Sequence, residues 1–253
     1  MKPNNTTTAP TVLSKTTLLL MATACGLCAG ANYFNQPLLN SMVQHLQISD
    51  AQASSTVTMA QVSYGLGLLF LVPLGDMLER RRLVLVLMLL AACGMLLSGI
   101  SGLAGSFALL AAGTLMAGVF SVAAQVLVPM AATFAAPGTS GRAVGLVMSG
   151  LLIGILASRS VAGILSDLGG WSTVYWVGAI STALMAVLLA RALPSAAPAT
   201  PVSYGAVMKS LGELLRQHPR LRSRALIGGT GFATVSVLFS TMALLLAGPG
   251  FQL

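Results

Sequence analysis

Seven stretches of the chain run for a helix's length with almost no ionisable side chain, near residues 16–38, 52–74, 83–103, 105–130, 142–165, 172–192 and 225–247. A helix needs about 20 apolar residues to cross a hydrocarbon core about 30 Å thick. Lipid offers no partner to a backbone N–H or C=O, so an open-edged sheet is excluded there and helices satisfy themselves. Composition agrees. Of 253 residues 56% are hydrophobic and only 7% charged, against roughly a quarter charged in a water-soluble domain. The expectation is an all-α, multi-pass membrane protein with the lipid bilayer as its main solvent.

The formal net charge of +8 would suit a nucleic-acid partner only if the basic residues shared one polar face. They do not, and no nucleic acid is expected. Numbering the connections alternately from the N-terminus, one side receives Lys2, Lys15, Arg80, Arg81, Arg82, Arg142, Arg191, Lys209, Arg216, Arg220, Arg222 and Arg224. The other side holds His45, Asp50 and Asp167 and no Lys or Arg. By the positive-inside rule the N-terminus is cytoplasmic, and the location implied is the cell inner membrane. The apolar run after Lys15 has the outline of a secretory signal, but six further spans argue against its removal.

The chain divides accordingly. Residues 1–15 are expected to form a disordered cytoplasmic tail, and 16–192 a six-helix unit. Residues 193–224 form a cytoplasmic linker: a Pro/Ala stretch from Pro194 to Pro201, then a basic amphipathic helix from Tyr204 to Arg224 lying at the membrane surface. Residues 225–253 supply a seventh transmembrane helix. A weak repeat relates spans three apart. Pro73-Leu74-Gly75-Asp76 closes span two as Ile164-Leu165-Ser166-Asp167 closes span five, and Gln36 precedes Pro37 as Gln125 precedes Pro129. A repeat of three spans must be inverted, as in many secondary transporters.

The loop Val72-Pro73-Leu74-Gly75-Asp76-Met77-Leu78-Glu79-Arg80-Arg81-Arg82 resembles the sequence between helices two and three of the major facilitator superfamily. Leu74, Asp76, Arg80 and Arg81 match. Val72, Met77 and Glu79 depart from a Gly, a basic residue and a Gly. Asp76 lies four residues before Arg80 and can pair with it across a turn, or dock on a helix N-terminus. The resemblance implies a gating role for Asp76, Arg80 and Arg81; the alternative is that the arginines only set topology.

Asn32-Tyr33-Phe34-Asn35-Gln36-Pro37-Leu38-Leu39 is similar to the first helix of bacterial efflux-type members. Amides are expensive in lipid and should face protein or a water-filled cavity. Asn32 and Gln36 lie one turn apart on one face with Asn35 beside them. Gln61 and Tyr64 on span two, and Gln125 on span four, are candidates for the same cavity; the bland alternative is interhelical hydrogen bonding. Arg159 is a guanidinium inside a span, which marks a solute or ion path unless it snorkels outward. It follows Gly150 and Gly154, whose small size permits close helix contact. The resemblance also places Thr114 where the family carries a buried Arg in its fourth helix, and Arg159 is expected to supply that charge to the cavity, binding an anionic group. The candidate substrate-binding residues are thus Asn32, Asn35, Gln36, Gln61, Tyr64, Gln125 and Arg159.

Enzymatic readings find no support. Cys25-Gly-Leu-Cys28 has redox spacing but no second ligand pair, and free Cys packs as a small hydrophobe. Gly138-Thr139-Ser140-Gly141 lies in a polar loop, and no span holds a His to act as base. No catalytic residue, metal or cofactor is implied. The resemblance implies a six-helix inverted-repeat transporter half plus one helix, exporting a small organic solute by alternating access, with a proton as coupling ion. Ending at Leu253, soon after span seven, the chain is expected to lack a C-terminal half and to transport poorly alone. A seven-helix receptor or sensor is the alternative, though the seventh stretch has no Lys for a retinal.

Overall fold

The computed structural model describes residues 13–195 and 203–246. Most of the expected N-terminal tail, the Pro/Ala linker over 196–202 and the segment after Leu246 lie outside them. Among the described residues there is no strand. Six segments are long and apolar enough to cross a membrane: Lys15–Leu46, Asp50–Asp76, Arg80–Ala104, Phe107–Thr133, Ser140–Gly169 and Trp171–Ala192.

Three of these segments contain breaks. The first is α1 (Lys15–Ala31), a 3-10 turn at Gln36–Leu38 and α2 (Leu39–Leu46). Pro37 brings no N–H to that turn. The second is α3 (Asp50–Phe70) followed by a 3-10 turn at Val72–Asp76. The third segment is the single helix α4 (Arg80–Ala104), and the fourth splits into α5 (Phe107–Phe120) and α6 (Ala123–Thr133). The break at Ser121 lies inside a run with no Gly-Pro punctuation. Pro129 within α6 withholds the N–H that would have met the Gln125 carbonyl, which weakens the helix on that side. Two unbroken helices complete the unit, α7 (Ser140–Gly169) and α8 (Trp171–Ala192).

Short polar residues start these helices as their chemistry requires. The Ser14 hydroxyl accepts from the Thr17 N–H at 3.0 Å. Ser49 and Gln52 form a reciprocal capping box at 3.2 and 3.0 Å, satisfying two donors at once. Gly105 takes the left-handed conformation (φ 61°) that ends α4.

Helix order in space follows from close packing. α1 lies along α7, α4 along α5 and α8, and α3 along α5. In terms of spans these pairs are one–five, three–four, three–six and two–four. Exchanging span one with four, two with five and three with six carries one–five onto four–two, and leaves three–six in place. The packing therefore has the symmetry that the Asp76/Asp167 and Gln36/Gln125 repeat implied. The α1–α7 contact is backbone to backbone. A methyl group on Gly150 would overlap the Ala22 backbone, and one on Gly154 that of Gly26. Only residues without a Cβ permit that approach.

Among the described residues the apolar interior has two large concentrations, besides a small one of Leu39, Ala53 and Val57. One holds Met21, Cys25, Cys28, Leu87, Met88 and Leu127; the other Phe34, Leu38, Met42, Met95, Leu110 and Trp171. Cys25 and Cys28 are buried and unpaired, as small hydrophobes would be. At one end of the bundle the Leu13 N–H meets the Phe134 carbonyl at 3.1 Å and the Ser195 hydroxyl meets Glu79 Oε1 at 2.8 Å. That end carries Lys15, Arg80–Arg82, Arg142 and Arg191. At the other, His45 Nε2 sits 3.1 Å from the Gly102 carbonyl and edge-on to Trp171.

The amphipathic stretch expected over Tyr204–Arg224 is divided. α9 (Tyr204–Gln217) ends before His218, and α10 (Pro219–Leu246) begins with the proline, whose ring suits a first helical position and disfavours helix in the residue before it. Arg220, Arg222 and Arg224 therefore open α10, which continues through the seventh apolar stretch.

Gly154→Ala is expected to lower stability by about 1–3 kcal/mol, the usual scale of overpacking. Gly163→Ala, whose added methyl meets nothing within 4 Å, is expected to leave it unchanged or raise it slightly. Thermal unfolding of the two purified variants side by side checks the contact.

Candidate functional site

The two interruptions in spans one and four open the interior. Where α1 stops at Ala31, the chain turns through Asn32–Asn35, and where α5 gives way to α6 it presents Gln125. Between them and α3 lies a cavity of about 660 Å³. Its polar walls are Asn32, Tyr33, Gln61, Tyr64 and Gln125. Leu68, Leu151 and Ile155 supply apolar surface, and α10 contributes Phe232 and Ala233. Gln125 Nε2 donates to the Tyr64 hydroxyl at 3.2 Å, tying α6 to α3.

Four of the sequence candidates thus meet in one place: Asn32, Gln61, Tyr64 and Gln125. Asn32 is buried, and its Nδ2 donates to the Cys28 carbonyl at 3.4 Å. Gln36 and Arg159 are not in the wall but are joined to each other. Arg159 Nε and Nη2 both donate to Gln36 Oε1, at 3.2 and 3.0 Å. The same guanidinium lies 5.7 Å from the centre of the Tyr33 ring, within the range of a cation–π interaction. Tyr33 thus belongs to the cavity wall and also lies within reach of the cation. Asn35 is buried and is not in the wall.

Sequence reasoning passed over Tyr33. The available hint was its place inside the amide string, where an aromatic ring with a polar tip suits a wall that is half apolar. Thr114, at the position where the resemblance puts a buried Arg, is packed inside the bundle, and its neighbour Gly113 faces Ser98 of α4. It is not in the cavity wall.

A second hollow of about 390 Å³ lies at the basic end. Asp76 and Arg80 line it, with Pro73, Gln125, Pro129 and two residues of α9, Val207 and Leu211. Arg80 Nη2 pairs with Asp76 Oδ1 at 3.4 Å, and Arg80 Nε donates to the Gly75 carbonyl at 3.0 Å. The 3-10 turn brings the acid back over the start of α4, which makes both bonds possible. Arg81 lies in the first turn of α4 outside the wall, while Arg82 pairs with Glu79 at 2.7 Å. α9 is held over this end by the Tyr204 hydroxyl, which donates to the Phe70 carbonyl at 3.1 Å. Gln125 borders both hollows.

Residues 21–253 match the family model described as Major Facilitator Superfamily. The chain is 48% identical over 240 residues to an uncharacterized transporter, YgaY, of Escherichia coli O157:H7, covering 95% of this chain and 60% of that protein. It is 30% identical over 236 residues to a probable transporter of Streptomyces coelicolor, covering 92% of this chain and 54% of the relative. Among solved structures it is similar to the human organic anion transporter MFSD10 (TETRAN), with a TM-score of 0.53 at 15% identity over 71% of this chain and 47% of that one. A peptide transporter, POT, in complex with alafosfalin gives a TM-score of 0.51 at 16% identity, over 88% of this chain and 46% of that one. These two likenesses are of fold alone. The chain spans a little over half the length of the curated relatives it matches.

The Asp76 side chain is 66% exposed, and an exposed ion pair contributes about 0–1 kcal/mol. Asp76→Asn is therefore expected to leave the thermal midpoint of the purified protein almost unchanged; a large drop would show that the pair holds the fold together.

Proposed function

As the chain belongs to the Major Facilitator Superfamily, we propose that it supplies the solute cavity of a secondary transporter that moves a small organic molecule by alternating access. The observation that carries this reading is the cavity of about 660 Å³ walled by Asn32, Tyr33, Gln61, Tyr64 and Gln125. Its volume falls within the few-hundred to about 1,000 Å³ of small-molecule sites, which are mostly apolar with a few placed polar groups. Asn32, Gln61, Tyr64 and Gln125 contact the solute, while Gln36 orients Arg159 and Asn35 supports the turn that carries them. Direct contact of Arg159 with an anionic group of the solute belongs to the same proposal.

Asp76, Arg80 and Arg81 act at the basic end as the gate. Their pair closes a turn between two spans and costs little to open in water, which suits a contact made and broken in each cycle. Outward movement is favoured by the likeness of Asn32–Leu39 to efflux-type members, and a proton is the proposed coupling ion. The basic end faces the cytoplasm of a bacterial inner membrane, as the distribution of Lys and Arg requires.

Orientation is checked by Gln47→Cys and Gly169→Cys in a Cys93→Ser background. A membrane-impermeant maleimide is expected to label both in intact spheroplasts and Arg142→Cys only after lysis; the reverse pattern overturns the topology.

Transport is checked in everted vesicles carrying the YgaY relative with this chain in place of its matching segment. Energy-dependent movement of at least one of Nile red, ethidium or fluorescein is expected. Gln125→Ala and Asp76→Asn should each slow it about tenfold or more, a loss of about 1.4 kcal/mol in the rate-limiting step. Movement unaffected by both substitutions would refute the assigned roles, and no energised movement at all would refute transport of this solute class.

A further inference from the structure

The basic end carries more positive charge than the chain itself can neutralise. Five acidic residues occur in the whole chain. Asp50 and Asp167 lie at the opposite end, while Asp76 and Glu79 are engaged with Arg80 and Arg82 at 3.4 and 2.7 Å. Glu213, the last of the five, has Lys209 at 3.9 Å. No acid follows it, yet Arg216, Arg220, Arg222 and Arg224 come soon after. All four are exposed, and among the described residues none has an ion-pair partner. Three of them fall in the opening turns of α10, where a cation is the wrong sign for the helix dipole. Their counter-charge has to come from outside the chain.

Depth and neighbours decide which anion supplies it. The apolar stretch of α10 starts at Ala225, so Arg220 stands about 7.5 Å before it along a helix axis. One headgroup layer is about 5–8 Å deep, half the difference between the whole bilayer and its hydrocarbon core. Arg220, Arg222 and Arg224 thus fall at the level of the lipid phosphates when α10 enters the membrane. Leu221 and Leu226 are exposed beside them, as are Leu214 and Leu215 at the end of α9. Val207 and Leu211 line the hollow at the basic end, and Leu214 continues their stripe one turn further. A nucleic acid or an acidic protein would leave these apolar side chains in water, whereas lipid covers them. Guanidinium groups suit phosphate oxygens through paired N–H donors.

We infer that the corner between α9 and α10 is a binding surface for anionic phospholipid headgroups, with Arg220, Arg222 and Arg224 on the phosphates. The inference rests on α10 entering the membrane at its cytoplasmic face.

The test uses the full chain in phosphatidylcholine vesicles, with bimane on Ser223→Cys in a Cys93→Ser background; the remaining cysteines are buried. Phosphatidylglycerol or phosphatidylcholine carrying a doxyl quencher near the headgroup is added at equal mole fraction. The glycerol lipid is expected to be enriched at the label at least about fivefold over the choline lipid, the factor of one basic residue near an anionic surface. Arg220→Gln, Arg222→Gln and Arg224→Gln together should bring the ratio close to one, whereas lysine at the same three positions should keep it. Arg142→Gln with Arg191→Gln, exposed arginines elsewhere on the basic end, should change it less than about twofold.

Equal quenching by the two lipids in the parent chain overturns the inference whatever the variants do. A ratio that survives the three glutamines, or is lost equally with the three lysines, overturns the part assigned to these arginines. Full loss in Arg142→Gln with Arg191→Gln overturns the assignment to this corner. Loss in sodium phosphate, but not in sodium chloride of equal ionic strength, shows a site for free phosphate and overturns the lipid reading. Quenching by neither lipid overturns the entry of α10 into the membrane as well.

Discussion

In hydrocarbon a backbone N–H or C=O without a partner costs several kcal/mol, so a chain crossing a bilayer stays helical unless something local repairs each interruption. The breaks in this bundle are repaired by the chain itself. After Ala31 the Asn32 and Tyr33 N–H groups bond back to Ala29 and Gly30 at 3.2 and 2.8 Å, and Leu38 bonds back to Asn35 at 3.1 Å. At Ser121 the N–H and the hydroxyl both donate to the Ala117 carbonyl, at 3.0 and 2.6 Å. Such irregular backbone is tolerated at membrane depth where protein or an internal cavity surrounds it. Here both interruptions border the same cavity, one through Asn32 and Tyr33 and the other through Gln125.

Where small residues are used determines where that cavity opens. Gly150 and Gly154 are consumed in the contact with α1, and Gly94, Gly113 and Gly118 in the contacts of α5 with α4 and α3. Along these seams backbones touch. The face of α1 bearing Asn32 turns instead toward α3 and α6, where glutamine and tyrosine replace glycine. Larger side chains hold those helices apart, and the space is lined by whatever tips they carry. One fold thus combines tight seams, which fix relative helix positions, with a looser seam that holds the cavity.

Six spans were legible in the sequence because twenty apolar residues without a charge have few other uses. The small residues of span five and the Asp76–Arg80 turn were legible too, each from spacing within a few residues. Pairings across the bundle were not. Gln36 and Arg159 are 123 residues apart, and nothing in either neighbourhood names the other. Tyr33 was hidden because an aromatic ring beside Phe34 looks like packing until its neighbours across the bundle are known. The break at Ser121 was missed since no residue there forbids helix, and Pro129 frees only the Gln125 carbonyl, inside α6. His218 ends α9 because a proline follows it.

Within the proposed reading, the Gln36–Arg159 pair divides the labour of the amide string. An amide oxygen that accepts two guanidinium N–H groups has little capacity left for a solute, so the Gln36 oxygen serves the cation, while Asn32, across the turn that ends α1, lines the cavity.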